Sequence, residues 1–358
     1  MESLICFMAL IVDIKKKLSN FDLDIQFEAD KDVFAILGAS GSGKSMVLKC
    51  ISGIEKPDSG YIEYNRKVFF DSKKKINIAS QKRNVGFLFQ NYALFPNMTV
   101  EENIKSGIRD KNKSINDIES VMKKFFIYKI RNRYPREISG GEQQRTALAR
   151  IFISSPNILM LDEPLSALDY YIKWELEQFI IDKIKEFYGV SLFVSHSRDE
   201  VYRICDKIGV LNSGKFDVID DKHNLFLSPK THFAAILTGC KNFSKAKIIS
   251  DKKIEVIDWN IILEFESGFN NDNINYIGIR AHYFFENNMQ NNNVFNLECK
   301  IIKVIEDIFS YMIILKPLRA QEDINIVWEF SKENYSENYK IGNIINLGFN
   351  KESILFLR

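Results

Sequence analysis

The feature that most constrains this chain is a glycine-rich segment, which reads Gly38-Ala39-Ser40-Gly41-Ser42-Gly43-Lys44-Ser45. It matches the pattern G-x-x-x-x-G-K-[ST], in which backbone N–H groups point inward around a nucleotide β-phosphate because the glycines carry no obstructing side chains. The apolar run 33–37 precedes it, and residues 46–51, which have helical character, follow it. This order predicts a buried parallel strand, a phosphate-binding loop and a helix whose N-terminus faces phosphate, whereas a flexible Gly/Ser turn would need neither flank.

Four side chains predict the chemistry of this site. Lys44 would bring a mobile positive charge to the β- and γ-phosphates, and Ser45 would supply a hydroxyl ligand for Mg²⁺. A second apolar run, 158–161, ends in Asp162 and Glu163. Asp162 suits coordination of Mg²⁺, and Glu163 suits polarisation of a water that attacks the γ-phosphate. Acidic residues also follow buried strands simply where a chain reaches the surface, so this interpretation depends on the phosphate loop upstream.

Further short motifs follow the phosphate loop in order. They are Gln90 within 86–90, Ser139-Gly140-Gly141-Glu142, Asp162-Glu163-Pro164, Ser166-Ala167-Leu168-Asp169 and Ser195-His196. Over about residues 9–235 the ordered set resembles the ATP-binding-cassette (ABC) transporter ATPases. The resemblance implies an α/β fold of the P-loop NTPase class for residues 1–235. It also implies a helical subdomain at about 91–155, where helical patterns begin near Val100 and Ile115.

The resemblance implies a role for each of these motifs. Gln90 would contact Mg²⁺ and the attacking water, and would connect the site to the helical subdomain. His196 would hold the γ-phosphate and Glu163 in register, although a structural histidine is the alternative. The aromatic and apolar loop 91–96 would receive a short helix from a membrane subunit, unless it packs on its own domain.

The segment Ser139–Glu142, called the signature segment below, implies a second copy of the chain. In the resembling family its small residues and the start of the following helix bind the γ-phosphate of a nucleotide held by the other protomer. Asp169 would lie in the loop that crosses to that protomer. The resemblance therefore implies a head-to-tail homodimer with two ATP molecules between the subunits.

Two departures from the family pattern concern binding. The signature segment has Ile138 before it and Glu142 at its end, where the family most often has Leu and Gln. An aromatic residue that stacks on adenine is missing from the short segment 17–20. Phe21 is predicted to begin a strand and to face the core of a sheet, so a preference for ATP over GTP stays open.

Composition excludes several classes. The 358 residues include 49 basic and 47 acidic side chains, so no polyanion and no nucleic acid is expected as a partner. Five scattered cysteines without a C-x-x-C pair favour reduced thiols over a disulfide framework or a zinc site. The apolar run 4–12 is too short to span a membrane and lacks the basic region of a signal peptide. Met8 is an alternative start to Met1.

Residues 240–358 differ in character from the rest. Short alternating segments at 253–257, 276–280, 297–302 and 324–328 predict strands, and the Asn-rich segments 270–273 and 288–293 predict turns. This pattern indicates an all-β module, a small OB-like barrel. It resembles the regulatory, TOBE/Mop-like barrel of importer ATPases, which would bind an oxyanion regulator or only support the dimer.

Together these resemblances imply the ATPase subunit of an ABC importer on the cytoplasmic face of the cell membrane. It would drive uptake of molybdate or tungstate, with two permease subunits and an external solute-binding protein. Sulfate, ferric iron or polyamine are alternatives as the transported solute. From other classes, a non-transport ABC ATPase would need long coiled coils or a second nucleotide domain, and an anion sensor would not need intact Lys44 and Glu163.

Overall fold

The computed structural model describes residues 9–108, 115–266, 268, 273–287, 294–320 and 324–358. The start of the chain and the predicted Asn-rich turns at 270–273 and 288–293 lie largely or wholly outside these residues. Contacts between Cα atoms divide the chain into two compact units, Met1–Lys222 and His223–Arg358. The division lies upstream of the boundary expected near residue 235.

The first unit alternates strands and helices. Its elements are β1 (Leu10–Lys17), β2 (Asp22–Ala29), β3 (Val33–Gly38), α1 (Lys44–Ser52), β4 (Ser59–Tyr64), β5 (Lys67–Asp71), β6 (Ile76–Asn77), β7 (Val85–Leu88), α2 (Val100–Lys105), α3 (Ile115–Lys124), α4 (Gly140–Ile153), β8 (Ile158–Asp162), α5 (Tyr170–Lys185), β9 (Val190–Val194), α6 (Arg198–Ile204), β10 (Lys207–Asn212) and β11 (Lys215–Asp221).

A mostly parallel sheet positions the site. Its strand order is β11-β10-β3-β9-β8-β7, and only the pairing of the edge strand β11 with β10 is antiparallel in this sheet. Strands β3, β8 and β9 are buried along their whole length, as expected for strands covered on both faces. Because the strands are parallel, the residues that follow β3, β7, β8 and β9 meet at one edge of the sheet.

A second sheet, which the sequence analysis did not predict, is built from strands between residues 10 and 77. Strands β2-β1-β4-β5-β6 form an antiparallel sheet of their own. In β1 every other residue is buried, with Leu10, Val12 and Ile14 on the inner face, because one face of an antiparallel sheet packs on the core while the other faces water. These residues share one hydrophobic core with β3 and α1.

The segment between Gln90 and β8 is helical, as the sequence predicts. Thr99 caps α2 by accepting a hydrogen bond from the backbone N–H of Glu102, and the Glu102 carboxylate accepts from the Thr99 N–H. This capping box satisfies two backbone donors at the start of the helix. Helix α4 begins directly after Ser139.

The second unit consists mainly of strands. Its elements are α7 (Lys222–Leu227, which starts at the division), α8 (His232–Leu237), β12 (Asn242–Ser250), β13 (Lys253–Val256), β14 (Ile261–Glu264), β15 (Tyr276–Ile279), β16 (Phe285–Glu286), β17 (Val294–Glu306), β18 (Ser310–Pro317), β19 (Ile326–Ser331), β20 (Ile344–Asn350) and β21 (Ile354–Leu357).

The strands of this unit form two antiparallel sheets, β14-β13-β12-β15-β21 and β16-β20-β17-β18-β19. Both sheets contribute to one core, which includes Val256 and Ile277 from the first and Cys299 and Leu347 from the second. The predicted OB-like all-β module is confirmed at the level of fold. Helix α8 belongs here because the Arg280 guanidinium donates to the Thr238 carbonyl at its end, at 2.8 Å.

Among the described residues, no helix has both the length and the apolarity needed to cross a membrane.

Candidate nucleotide site

The carboxyl edge of the parallel sheet carries a cleft of about 530 Å³. Its lining combines the phosphate loop with the ends of three further strands. The lining residues are Leu18, Ser19, Asn20, Phe21, Ser40, Gly41, Gly43, Lys44, Ser45, Met46, Gln90, Asp162, Glu163 and His196. The fold thus brings Gln90, Asp162, Glu163 and His196 to the phosphate loop, although these residues are far apart in the sequence.

Two glycines of the loop are required by its backbone. Gly43 has φ +107° and stands at the cap position of α1, a conformation that an L side chain rarely adopts. At Gly38 a Cβ would lie 2.5 Å from the carbonyl oxygen of Leu211, so only glycine lets β3 end this close to β10. Both requirements hold the loop in the shape that presents its N–H groups.

The phosphate loop has donors that suit an oxyanion. The Lys44 ammonium donates to the carbonyls of Gly38, at 2.9 Å, and Ala39, at 2.8 Å. Burial lowers the pKa of Lys44, and the nearby charges of Glu163 and Asp162 oppose that shift. Within the part of the chain that the structure describes, the buried Ser42 hydroxyl has no hydrogen-bond partner. A bound phosphate would give this hydroxyl a partner, because buried polar groups are ordinarily hydrogen-bonded.

Ser45, Asp162 and Gln90 offer oxygen ligands for a hard cation. Burial raises the pKa of Asp162, and a hydrogen bond from Ser45 opposes that shift. Gln90 lines the same cleft. No group of three or more His, Cys, Asp or Glu side chains able to hold a metal occurs among the described residues. The oxygen atoms of Ser45, Asp162 and Gln90 fit Mg²⁺, which binds through one or two carboxylates together with phosphates and water.

Glu163 stands at a strained position next to His196. Its φ is +51°, a left-handed conformation that is rare for a residue other than glycine and that is concentrated at functional sites. The backbone N–H of Glu163 donates to the Val194 carbonyl at 2.8 Å, which ties the end of β8 to β9. His196 Nδ1 lies 3.2 Å from Glu163 Oε1, so the predicted pairing of these side chains is present.

The signature segment forms the N-terminus of α4. The Glu142 carboxylate accepts from the Ser139 N–H at 2.8 Å and from the Ser139 hydroxyl at 3.0 Å, while the Ser139 hydroxyl accepts from the Glu142 N–H. This is a capping box, and the spacing S-x-x-E is its signal in the sequence. The residues Ser139, Gly140, Gly141, Glu142 and Asp169 do not line the cleft.

Phe21 packs on the core, as predicted, but does not begin the strand. Strand β2 begins at Asp22, so Phe21 lies in the turn before it, half-buried. Its ring packs on the first unit's core and also lines the cleft; a Cβ at Gly43 would meet it at 3.3 Å. The ring therefore contributes both to the core and to the wall of the cleft. Leu18 and Met46 are further apolar residues that line the cleft.

Sequence reasoning missed three buried or half-buried polar residues around the site. Gln144, on α4, bonds the backbone of Glu163. Asn103 bonds the backbone of Phe95 in both directions, and Arg150 donates to the carbonyls of Tyr92 and Ala93. Their partners are backbone atoms from distant segments, so no local motif marks them.

The loop 91–98 is held by its own unit through these bonds, while its side chains remain accessible. The Arg150 guanidinium lies 5.4 Å from the centre of the Phe95 ring. Phe95 is nevertheless 48% exposed and Met98 36% exposed. The sequence analysis raised two alternatives for this loop, packing on its own domain and contact with a partner. The structure is compatible with both at once, because the backbone of the loop is held while its side chains are exposed.

Comparison with known proteins agrees with this geometry. Residues 20–166 match the family model described as ABC transporter. A sulfate/thiosulfate import ATP-binding protein of Mesostigma viride is 36% identical over 256 residues, which cover 69% of this chain and 70% of that protein. The chain belongs to the ABC transporter family. A molybdenum import ATP-binding protein of Aliivibrio fischeri is 39% identical over 221 residues, 62% of this chain and 60% of the relative.

Solved structures show the same fold. A dimeric ATP-binding cassette in a post-hydrolysis state, bound to ADP and Pi, aligns with a TM-score of 0.51 at 23% identity, over 60% of this chain and 99% of that one. A bacterial Atm1-family ABC exporter with ATP bound aligns with a TM-score of 0.56 at 22% identity, over 64% and 41%. The predicted ABC ATPase fold is confirmed.

Proposed function

We propose that this chain is the ATP-hydrolysing subunit of an ABC importer. The observation that carries the proposal is the convergence of Lys44, Ser45, Asp162, Glu163 and His196 on one cleft at the carboxyl edge of the parallel sheet. Family membership and relatives that are import ATP-binding proteins support it.

The residues of the cleft divide the work of ATP hydrolysis. The N–H groups of the phosphate loop and Lys44 hold the β- and γ-phosphates, and Ser42 offers its unpaired hydroxyl. Ser45, Gln90 and Asp162 would hold Mg²⁺, which would neutralise phosphate charge. Glu163 accepts a proton from the attacking water, and His196 orients the Glu163 carboxylate through its 3.2 Å contact.

We propose a head-to-tail homodimer as the active form. The capped N-terminus of α4 has the geometry of an anion site but does not line the cleft of its own chain. A second copy would place its signature segment, Ser139–Glu142, on the γ-phosphate, with Asp169 in the loop that crosses between the copies. The dimeric cassette that shares this fold supports the arrangement.

The transported solute is proposed to be molybdate or tungstate. Four of the relatives are molybdenum import ATP-binding proteins. Others serve sulfate/thiosulfate, spermidine/putrescine and Fe³⁺ import, which remain the alternatives. The proposal includes two permease subunits, an external solute-binding protein, a place on the cytoplasmic membrane face, and a TOBE-like regulatory role for the second unit.

The ATPase proposal is tested with the full chain, its Lys44→Ala variant and its Glu163→Gln variant. Wild type should release phosphate from Mg-ATP. Lys44→Ala should lose nucleotide affinity at least about tenfold, because the buried ammonium is removed. Glu163→Gln should bind ATP normally, hydrolyse it about 100-fold more slowly and sediment as a dimer.

Three contrary results would each refute a different part of the proposed function. Unchanged ATP affinity of Lys44→Ala would overturn the phosphate-loop assignment. A Glu163→Gln variant that stays monomeric at saturating Mg-ATP would overturn the sandwich dimer. The solute is tested in cells lacking this chain: loss of labelled molybdate uptake with intact sulfate, Fe³⁺ and polyamine uptake is expected, and the reverse pattern would replace molybdate.

A further inference from the structure

A buried glutamine joins the signature helix to the backbone of Glu163. Gln144 lies on α4 and is only 1% exposed. Its Nε2 donates to the Glu163 carbonyl at 3.0 Å, and its Oε1 accepts from the Ala167 N–H at 3.3 Å. One side-chain amide therefore forms hydrogen bonds with both ends of the segment 163–167.

That segment is a tight turn with a strained first residue. The Glu163 carbonyl also accepts from the Ser166 hydroxyl, at 3.0 Å, and from the Ser166 N–H, at 3.3 Å. Glu163 itself has φ +51°. A strained backbone persists only where its surroundings hold it, and the hydrogen bonds to its carbonyl are such a constraint.

The start of α4 also packs directly on this turn. A Cβ at Gly141 would lie 2.9 Å from the Ala167 carbonyl oxygen, so α4 and the turn are in close backbone contact. The neighbouring glutamine, Gln143, serves a different segment, because its Nε2 donates to the carbonyls of Pro135, at 3.0 Å, and Ile138, at 3.4 Å. Gln144 is thus the member of this pair that bonds Glu163.

We propose that Gln144 is a positioning residue that fixes the Glu163 backbone and couples it to the signature helix. The inference rests on the proposed dimer, in which Ser139 and Glu163 of one chain serve different nucleotides. Gln144 follows Ser139 on the same helix, so its bond to the Glu163 carbonyl would hold the Glu163 backbone at a fixed distance from the signature segment.

The test compares Gln144→Met and Gln144→Glu with the control Gln143→Met in the full chain. Methionine matches the length of glutamine but makes neither hydrogen bond. Ionised glutamate keeps the acceptor for Ala167 and loses the donor to Glu163, so Gln144→Glu is assayed at alkaline pH, where its carboxyl is ionised. Both Gln144 variants should lower kcat about 10- to 100-fold, since small displacements of a catalytic group cost this much, with ATP affinity within about threefold of wild type. Gln143→Met should keep kcat within about threefold of wild type, because its bonds serve another segment.

A double variant separates positioning from a general structural defect. If Gln144 acts through the Glu163 carboxylate, Gln144→Met should add nothing to the loss already caused by Glu163→Gln. Multiplicative losses, or a kcat of both Gln144 variants equal to that of Gln143→Met, would overturn the inference. Absence of ATPase activity in the wild type would instead overturn the proposed function.

Discussion

Arg83 is a buried cation that joins the end of the phosphate-loop helix to neighbouring segments. It is 1% exposed, and its guanidinium donates to the carbonyls of Cys50 and Ile51 in the last turn of α1 at 3.0 and 2.7 Å. It also donates to the Ile78 carbonyl and to Asn77 Oδ1. Burial lowers the pKa of Arg83 to about 10, so the side chain is charged at neutral pH. We expect Arg83→Met to weaken the support of α1.

The magnitude follows from two opposing effects. Hydrogen bonds from a charged donor contribute about 1.5–3 kcal/mol each, whereas burying the charge costs several kcal/mol that methionine does not incur. The net loss in free energy of unfolding of the first unit should be about 2–4 kcal/mol. For a unit of this size, that loss lowers the midpoint of thermal unfolding by roughly 5–15 °C.

The assay can distinguish the two units. Helix content, followed by far-UV circular dichroism, reports mainly the first unit. Tryptophan fluorescence reports mainly the second, because Trp259 and Trp328 are buried there while Trp174 in the first unit is 62% exposed. Arg83→Met should lower the dichroism midpoint, and the exposed control Lys82→Met should stay within about 0.5 kcal/mol of wild type. An Arg83→Met protein as stable as the control would refute this reasoning.

Three further changes are predicted. Burial raises the pKa of Asp162 above its usual value, so the contribution of this carboxyl to stability is fully present when it is protonated and is lost as pH rises. Without nucleotide, Asp162→Asn should therefore have a higher midpoint of thermal unfolding than wild type at neutral pH. This difference in midpoint should vanish below about pH 4. The rate of ATP hydrolysis should fall about 100-fold. Glu142→Gln keeps the capping box but removes a negative charge from the proposed γ-phosphate contact. In the Glu163→Gln background this change should tighten ATP-driven dimerisation several-fold, measured by sedimentation at low salt. Dimerisation that is unchanged and does not depend on salt would contradict this prediction. Asn103→Leu removes the bonds to Phe95, so limited proteolysis should cut 91–98 faster than in wild type; an equal rate would count against the anchoring role.

The sequence revealed those parts of the site whose chemistry is local. The phosphate loop needs its glycines for backbone geometry, so residues 38–45 can be recognised from the local sequence alone. The apolar strand that ends in Asp162 can be recognised in the same way. The parallel order of β3, β7, β8 and β9 then brings Gln90 and His196 to the loop.

The missed features depend on tertiary contacts. Gln144 and Arg83 bond backbone carbonyls that are distant in sequence, and any polar side chain can bond a carbonyl, so residue type alone does not identify the partner. The antiparallel sheet could have been predicted from the sequence, because the apolar residues Leu10, Val12 and Ile14 alternate with residues that are mostly exposed. The bond from Arg280 to the Thr238 carbonyl joins α8 to a segment 42 residues further along the chain, so the local sequence did not show that α8 belongs to the second unit.

The placement of the signature segment away from its own cleft has a consequence for mixed populations. In the proposed dimer every site is built from two chains, so a chain altered in its signature segment disables the site on a normal partner, whereas a Glu163→Gln chain disables only its own site. Where normal and Glu163→Gln chains are made in equal amounts, about one quarter of the pairs are wholly normal and about half keep one intact site by random assortment. Activity at low expression, where pairs are scarce, would fall with the square of the amount of chain present.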